Sequence, residues 1–196
     1  MLTTQQTQQK WEQRYAGLSL QERAEPNPFI LAHLDWLPLH GWALDVAAGA
    51  GRHSVLLATR GLRVDAVDIS WRGLRLARQR AQAAGVANAL RCIVADVEQP
   101  WLPHRAYDVI LTTYFLHRPL LPWLKDRLRP GGWLMYETFV LGPAENTANS
   151  PSHFWLQPGE LPSFFVDFRI WFYEEVCHNG RNAGRVTAQL VAQKPG

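Results

Sequence analysis

The chain has few cysteines, few lysines and no long apolar run. Cys92 and Cys177 stand alone among 196 residues, without the spacing of a metal or redox motif. We therefore interpret them as reduced thiols. Only three of the twenty basic residues are lysines, so the sequence pI of about 9.1 comes from arginine.

The absence of a long apolar run indicates where in the cell the protein is expected. No stretch approaches the roughly twenty residues needed to span a bilayer. The first residues are polar and lack the apolar core of a signal peptide. We expect a cytoplasmic protein without a membrane partner. No cluster has metal-ligand spacing, so no metal site is expected, and neither a nucleophile elbow nor a phosphate loop is present.

The composition is that of a globular protein, with 47% hydrophobic and 19% charged residues. This length predicts a single domain, 1–196, with residues 1–40 as an N-terminal helical segment. The net charge of +3 is mild. The densest basic stretch, arginines 72 to 80, is interpreted as a solvated helix face, so a nucleic-acid partner is not expected.

One stretch organises the chain. Residues 42–46 are mostly apolar, as in a strand covered on both faces. Gly49 and Gly51 follow, where the backbone can turn sharply and approach a ligand closely. A helical pattern then begins at Arg52 and ends near Gly61. The free N–H groups at such a helix start favour a carboxylate or phosphate.

A second acidic residue follows the glycine turn at a distance that is typical of nucleoside-binding folds. Residues 62–67 are a predicted strand that ends at Asp68, about twenty residues beyond the glycine turn. An acid in this place accepts hydrogen bonds from a ribose diol. Together these elements predict one nucleoside-binding half of a doubly wound sheet, without saying which nucleoside binds.

The remaining elements alternate. Helices are predicted over 3–16, 29–37, 71–84, 119–128 and 158–165, and strands over 89–95, 107–112, 133–139, 168–177 and 185–193. Loops or turns are predicted over 98–105, 129–132, 142–152 and 178–182. Ser70 is a predicted helix cap. Five βα units followed by an antiparallel hairpin differ from ordinary dinucleotide folds, which usually finish parallel.

This layout, with Asp45-Val46-Ala47-Ala48-Gly49-Ala50-Gly51 as its motif, resembles the class I S-adenosylmethionine (SAM)-dependent methyltransferases. The resemblance covers nearly the whole chain. It implies a Rossmann-like, doubly wound α/β fold whose seven-stranded sheet is mostly parallel with an antiparallel C-terminal strand. Ala47 stands where glycine is commoner, a mild departure if its φ is negative.

The resemblance also implies SAM as cofactor, with S-adenosylhomocysteine as product. Asp45 would hold the loop or the amino group of SAM, Asp68 would bind the ribose, and Ile69 would lie against the adenine. The other implied contacts are Ala47, Gly49 and Gly51 in the loop, Asp96 and Val97 at the adenine edge, and Thr112 and Thr113 beneath the sulfonium.

Several short stretches resemble the small tellurite-resistance-type and related small-molecule methyltransferases. They are Trp11-Glu12-Gln13-Arg14-Tyr15-Ala16, Pro26-Asn27-Pro28-Phe29, Tyr114-Phe115-Leu116-His117-Arg118-Pro119 and Tyr136-Glu137-Thr138-Phe139. This resemblance implies a bacterial origin. It also implies a small acceptor such as a chalcogen oxyanion, a thiol or another small nucleophile.

The first predicted helix has two interpretations. It either packs against the sheet or forms a lid in which Arg14 and Tyr15 close over the donor. Arg52 is a candidate partner for the methionine carboxylate. His53 either reaches the ligand or caps its helix.

Three residues after the fourth predicted strand are catalytic candidates. His117 is either a base or substrate contact, or a rim histidine bonded to a loop carbonyl. Tyr114 either lines the methyl-donor side or packs among aromatic rings. Arg118 either orients an anionic substrate or forms an ion pair.

Other classes stay open from the sequence. A nicotinamide-dependent oxidoreductase is disfavoured because Ser54 occupies the place of the third glycine and because of the terminal hairpin. A domain that binds SAM without turnover is a further alternative. A nucleic-acid methyltransferase would need a base-flipping motif that the sequence lacks. We expect a small-molecule acceptor, with the protein as a monomer or a homodimer.

Overall fold

The computed structural model describes residues 3–99, 105–142, 154–178 and 184–196. In these ranges the chain forms helices and strands in the predicted alternation. The helices are α1 Thr4–Tyr15, α2 Pro28–Ala32, α3 Arg52–Thr59, α4 Trp71–Ala83, α5 Leu121–Arg127 and α6 Glu160–Ser163. The strands are β1 Trp42–Val46, β2 Arg63–Asp68, β3 Leu90–Val94, β4 Tyr107–Thr113, β5 Leu128–Val140, β6 Arg169–Cys177 and β7 Val186–Gln193.

The strands form one seven-stranded sheet in the order β3-β2-β1-β4-β5-β7-β6. The first five strands are parallel, and β7 runs antiparallel between β5 and β6. This confirms the predicted fold class. The chain leaves β3 at one edge and returns as β4 on the other side of β1. The carboxyl ends of β1 and β4 therefore form the crevice where ligands bind in open α/β sheets.

Local sequence explains most helix ends. Thr3 and Gln6 form a capping box at the start of α1. Ser70 caps α4 as predicted, because its hydroxyl accepts a hydrogen bond from the Gly73 N–H at 3.1 Å. Gly85, with φ +73°, follows the end of α4.

Three predicted elements differ in form from the observed ones, and the helix predicted over 158–165 is shorter, at Glu160–Ser163. The helix expected over 29–37 is divided into α2 and a 3₁₀ turn at Leu34–Trp36. The helix expected from Pro119 begins as a 3₁₀ turn before α5. The tight turn expected over 129–132 is instead an irregular start of β5, since Tyr107 pairs with Leu128 whereas Val109 pairs with Trp133.

The core lies on both faces of the sheet. On one face the side chains of β1, β4 and β5 pack against α5 and the segment 156–168. On the other face they pack against α2, α3 and α4. The two long strands β6 and β7 agree with the predicted hairpin. Of its connection only His178 is described, and of the polar stretch predicted over 142–152 only Gly142. Of the loop predicted over 98–105, residues 98, 99 and 105 are described.

A pair of glycines tests the packing of the organising turn. Gly51 and Gly85 both have left-handed backbones, at φ +72° and +73°. A Cβ on Gly51 would overlap the Ala77 side chain and lie 2.9 Å from the Ala77 Cα, whereas a Cβ on Gly85 would meet nothing within 4 Å. We expect Gly85→Ala to cost about 1 kcal/mol, from backbone strain. Gly51→Ala should cost roughly 3 kcal/mol or more, because overpacking is added.

Urea unfolding of both variants measures the difference. Equal losses of stability would contradict the packing of α3 against α4 at Gly51.

Candidate functional site

The glycine turn is held to the end of β2 by a buried carboxylate. Asp68 accepts hydrogen bonds from the Gly49 N–H at 2.7 Å and from the Ser70 N–H at 2.8 Å. Burial raises the pKa of Asp68, while these hydrogen bonds oppose that change. Asp68 therefore fixes the turn and the start of α4 together, at the place from which it was expected to reach a ribose.

Ala47 corrects one expectation. Its φ is +55°, in the left-handed region, where an L side chain is strained by about 1 kcal/mol or more. The departure from glycine at this position is therefore not mild. Strain of this kind is retained where the surrounding structure fixes the backbone, often beside a functional site.

Asp45 faces the first turn of α3. Its carboxylate accepts a hydrogen bond from the Ser54 hydroxyl at 2.5 Å. The side chain is buried, which raises its pKa to about 7. Of the two roles implied by resemblance, this contact corresponds to holding the loop.

Helix α1 lies across the carboxyl edge of the sheet, over the residues expected to hold the nucleoside. The Thr4 hydroxyl donates to Asp96 Oδ2 at 2.8 Å, and the Gln8 amide donates to the Ile69 carbonyl at 3.3 Å. Glu12 accepts from the Arg72 N–H at 3.3 Å, at the start of α4. The helix thus covers the predicted site through polar side chains spaced one turn apart.

The two lid residues behave differently. The Tyr15 hydroxyl lies directly over Gly49, at the position a Cβ would take. Burial and the nearby Asp68 raise the Tyr15 pKa, so the phenol stays protonated. Arg14 is exposed and stacks over the Trp11 ring, with its guanidinium carbon 5.4 Å from the ring centroid. Tyr15 reaches the glycine turn, and Arg14 does not.

Thr112 has a buried hydroxyl without a hydrogen-bond partner among the described residues. Thr112 is the last residue of β4 that pairs with β1, and it lies opposite Val46 in the crevice between the two strands. An orphaned buried hydroxyl is rare in folded proteins and indicates a missing partner. This place agrees with the expected cofactor contact at the end of β4. Val97 is buried in the core, and Ile69 is half-buried.

A polar cluster lies on the acceptor side of the crevice, centred on Asn27. The Asn27 side-chain amide donates to the Tyr114 hydroxyl at 3.1 Å and to the Glu137 carboxylate. Its side-chain oxygen accepts from the Phe29 N–H at 2.9 Å, which caps α2. The Asn27 N–H donates to His53 Nε2 at 3.1 Å. One asparagine thus joins the N-terminal segment to α3, β4 and β5.

His53 belongs to this cluster and does not cap its helix. Its Nδ1 lies 3.5 Å from the Thr113 hydroxyl. Burial and the neighbouring Arg52 lower the His53 pKa to about 3, so the ring is neutral at physiological pH. His53 thus connects Asn27 to the end of β4.

The arginines near the crevice have protein partners. Arg118 pairs with Glu160, with one N···O distance of 2.7 Å and another of 2.8 Å, and it donates to the Trp155 carbonyl at 2.9 Å. The ion-pair interpretation of Arg118 is therefore favoured over the substrate-orienting one. Arg52 donates to the Glu25 carbonyl at 3.4 Å and lies 5.7 Å from the Tyr114 ring centroid. His117 is half-buried and precedes the 3₁₀ turn Arg118–Leu120, and its side chain makes no capping hydrogen bond to that turn.

Sequence reasoning missed Asn27, Glu137 and Arg80 as site residues. The solvated helix face expected for arginines 72 to 80 is wrong for Arg80, which is buried in α4 and donates to the carbonyls of Leu20 and Ala50, both at 2.9 Å. The signals were present in the sequence. An asparagine lies between two prolines, and a glutamate interrupts an apolar strand.

Cofactor and metal capacity can be stated for the described ranges. Among them no group of three or more His, Cys, Asp or Glu side chains is placed to hold a metal ion. No helix there is both long and apolar enough to cross a membrane. A groove of about 540 Å³, lined by residues including Tyr15, Trp71, Arg72 and Arg75, lies between the end of α1 and α4.

Comparison with known proteins agrees with this geometry. Residues 43–132 match a family described as a methyltransferase domain. TehB from Haemophilus influenzae superposes with a TM-score of 0.71 at 18% identity, over 96% of this chain and 67% of TehB. The cyclase SpnF gives a TM-score of 0.76 at 16% identity, over 99% of this chain and 97% of SpnF.

A geranyl diphosphate C-methyltransferase from Streptomyces coelicolor, solved with Mg²⁺, geranyl-S-thiolodiphosphate and S-adenosylhomocysteine, gives a TM-score of 0.68. Its identity is 15%, and the match covers 85% of this chain and 74% of that one. The fold is that of the class I methyltransferases. The match of residues 43–132 to a methyltransferase domain, together with this fold, favours the SAM-dependent methyltransferase interpretation over the oxidoreductase alternative.

The buried Asp45 and His53 predict opposite pH dependences of stability. The Asp45 pKa rises from 3.8 to about 7 on folding, so the native state retains a proton that the unfolded chain loses, and stability falls as pH rises between these values. The His53 pKa falls from 6.5 to about 3. The His53 ring of the native state therefore stays neutral at pH values where the ring of the unfolded chain binds a proton. The free energy of unfolding rises with pH over that interval.

Each slope is about 1.4 kcal/mol per pH unit, so the two oppose each other between about pH 4 and 6.5. Relative to wild type, Asp45→Asn should add a positive slope and His53→Gln a negative one. The double variant should restore the wild-type slope. Urea unfolding at several pH values measures this, and unchanged slopes in both single variants would contradict the assigned protonation states.

Proposed function

We propose that this chain transfers a methyl group from SAM to a small-molecule acceptor bound at the carboxyl ends of β4 and β5. One observation carries the cofactor half of the proposal. The carboxylates of Asp68 and Asp96 lie at the ends of the neighbouring parallel strands β2 and β3, and the buried Thr112 hydroxyl across the crevice has no hydrogen-bond partner among the described residues. This donor set suits a nucleoside with a polar tail.

The residues present fit SAM in separate parts. Asp96 would accept from the adenine amine, in the place where it now accepts from Thr4. Asp68 would bind the ribose while keeping the turn in place, and the methionine portion would lie along the glycine turn beside the Tyr15 hydroxyl, which now covers Gly49. When bound, SAM supplies an electrophilic methyl group with a good leaving group. The protein then has to orient the acceptor and exclude water.

An aromatic wall supports a small, partly flat acceptor. The ring centroids of Tyr114 and Phe139 are 5.3 Å apart, and those of Phe139 and Trp155 are 5.1 Å apart. Arg185 lies 5.3 Å from the Phe139 centroid. The half-buried His117, three residues after Tyr114, stays a candidate substrate contact. The acceptor would be a chalcogen oxyanion, a thiol or another small nucleophile.

Location and assembly are part of the proposal. We place the protein in the cytoplasm of a bacterium, as a monomer or homodimer. The few cysteines and the likeness to TehB support this setting.

Removal of the adenine-edge carboxylate tests the cofactor site. Asp96→Ala should weaken binding of S-adenosylhomocysteine by about 10- to 100-fold, because a hydrogen bond to a charged acceptor contributes about 1.5–3 kcal/mol. Glu98→Gln, two residues away and exposed, is the matched control and should bind normally. Isothermal titration calorimetry makes the measurement. No binding by the folded wild-type protein would overturn the donor assignment.

The orphaned hydroxyl gives a second test. Thr112→Val keeps the shape of the side chain and removes an unsatisfied buried group, so stability without ligand should rise by about 1 kcal/mol. If the hydroxyl meets the cofactor, affinity for S-adenosylhomocysteine should fall about 5-fold or more. Thr113→Val is the contrast, since it removes a contact to His53 and should lower stability. Unchanged affinity in Thr112→Val would remove Thr112 from the site.

A further inference from the structure

Strand β6 forms a long open edge of the sheet. It pairs with β7 on one side, and no strand of the described chain lies on its other side. Proteins protect such edges with short strands, proline, lysine or a covering element, because free N–H and C=O groups pair with other chains. The opposite edge strand, β3, is short, at Leu90–Val94. Strand β6 extends over Arg169–Cys177 and contains neither proline nor lysine.

The backbone of β6 is available on this outer side. Apart from its pairs with β7, no backbone group of the strand is hydrogen-bonded to the backbone of another described segment. A strand of this length offers a row of donors and acceptors that a second extended chain can meet.

Large aromatic side chains are exposed beside this edge. Trp36 is 40% exposed and Trp171 is 43% exposed. Together with Trp133 they line a groove of about 320 Å³, and their ring centroids are 5.8 to 6.3 Å apart. Clustered exposed tryptophans differ from single exposed apolar residues, because tryptophan is enriched at the positions that dominate binding between proteins. We call these three residues the tryptophan cluster.

An extra residue in β6 determines which side chains share a face. Ile170 pairs with β7 and so does Phe172, but Trp171 between them has no partner in the register. The Phe172 ring packs against Phe29 and His33, with ring centroids 6.0 and 4.3 Å away. Since Trp171 packs within the tryptophan cluster, these two consecutive side chains both lie on the face that carries α2.

Two opposite charges lie on the same face of β6. The Arg169 guanidinium carbon is 3.8 Å from the centroid of the Trp171 ring, and Glu174 follows Phe172 by one strand period. Both side chains are exposed, and neither forms an ion pair with another described residue. In a regular strand, Arg169 and Glu174 would lie on opposite faces. The extra residue at Trp171 brings them to one face.

A strand with a cation at its start and an anion further along is complementary to a second copy of itself only when the two strands run antiparallel. We propose that β6 is the interface of a homodimer, in which two copies of this chain pair their β6 strands antiparallel about a two-fold axis. The axis lies between Trp171 and Phe172. Arg169 of each copy is then opposite Glu174 of the other copy.

This register agrees with the faces observed in the structure. Directly opposite residues of antiparallel strands lie on the same face of a sheet. Arg169 and Glu174 share the α2 face, whereas Ile170 and Tyr173, which become opposite each other, share the other face because they pair with Ala192 and Leu190. The pairing also brings the two tryptophan clusters together across the axis. The two seven-stranded sheets become one continuous sheet.

Other ways of pairing this edge are disfavoured. A parallel pair in register places Arg169 beside Arg169 and Glu174 beside Glu174, and like charges opposite each other are destabilising. Pairing of β6 with β3 of another copy leaves a free edge at each end and grows into a filament. A two-fold axis uses the same edge of both copies, so the assembly closes at two chains.

The interface is separate from the proposed cofactor site and does not rest on the proposed function. Asp68 and Asp96 follow β2 and β3, at the other side of the sheet from β6. Association through β6 therefore leaves the nucleoside edge uncovered. Of the two assemblies named above, the structure favours the homodimer.

Sedimentation equilibrium of the full chain tests the assembly. At about 10–100 μM the protein should have the mass of two 22.3-kDa chains. High salt should weaken the association, because it screens the charges on the exposed side chains. A protein that stays monomeric over this range would overturn the proposal. Growth beyond two chains with rising concentration would overturn the two-fold pairing.

Two charge reversals test the register. Arg169→Glu and Glu174→Arg each place like charges opposite one another at two symmetric positions, so the dimer dissociation constant should rise about 10-fold or more. An equimolar mixture of the two variants should associate like wild type, because each substituted position then meets an opposite charge. That recovery also shows that both variants are folded.

The matched control makes the same charge change away from the interface. Arg75→Glu alters an exposed arginine on α4, which packs on the part of the sheet formed by β2 and β3, and it should leave the dissociation constant unchanged. Equal weakening in Arg75→Glu, or a mixture of the two reversal variants that stays monomeric, would contradict the Arg169–Glu174 register.

Calorimetric titration with S-adenosylhomocysteine distinguishes the dimer from the proposed function. The reversal variants should bind this ligand as wild type does, because the nucleoside edge is distant from β6. A wild-type dimer that fails to bind it would overturn only the proposed function. A wild-type monomer that binds it would overturn only the dimer.

Discussion

The site depends on the pair of hydrogen bonds that Asp68 accepts from Gly49 and Ser70. A parallel sheet brings the ends of β1 and β2 to one edge, but it does not fix the loops that follow them. The buried Asp68 carboxylate joins both loops, so the glycine turn and the start of α4 move as one unit. Asp45 adds a second tie, to Ser54 at the start of α3. Two buried acids thus hold the two helix starts that face the crevice.

The segment before β1 is fixed by polar contacts to distant elements. Asn27 fastens one end to β4 and β5, and Arg80 fastens the other end through the Leu20 carbonyl. Each side chain satisfies several buried groups at once, so its removal leaves unpaired partners at a cost of about 1–3 kcal/mol each. Residues 20–26 bury no side chain of their own, so the hydrogen bonds from Arg80 and Asn27 hold this stretch at its two ends.

What the sequence could predict was local. The strand, glycine turn, helix and following acid are neighbours in the chain, and their residue types determine their backbone. The position of Gly49 in a turn and of Asp68 at the end of β2 could therefore be predicted. The partners of Arg118 and Glu137 were not predicted, because Glu160 and Asn27 lie 42 and 110 residues away from them. The periodicity of apolar residues predicts which face of a helix or strand is buried. It does not predict which distant side chain contacts that face. The positive φ of Ala47 likewise follows from the loop as a whole.

Helix α1 covers the proposed nucleoside edge without burying any of its own residues fully. Its hold on the edge comes from Thr4, Gln8, Glu12 and the half-buried Tyr15, and contacts of this kind open at low free energy. A ligand that takes the place of Thr4 on Asp96 binds only the fraction of molecules in which α1 has moved, and its apparent dissociation constant is divided by that fraction. The residues of α1 therefore set how fast a ligand exchanges at this edge and the ligand concentration at which the edge is filled. A substitution in α1 that touches no ligand can change both quantities.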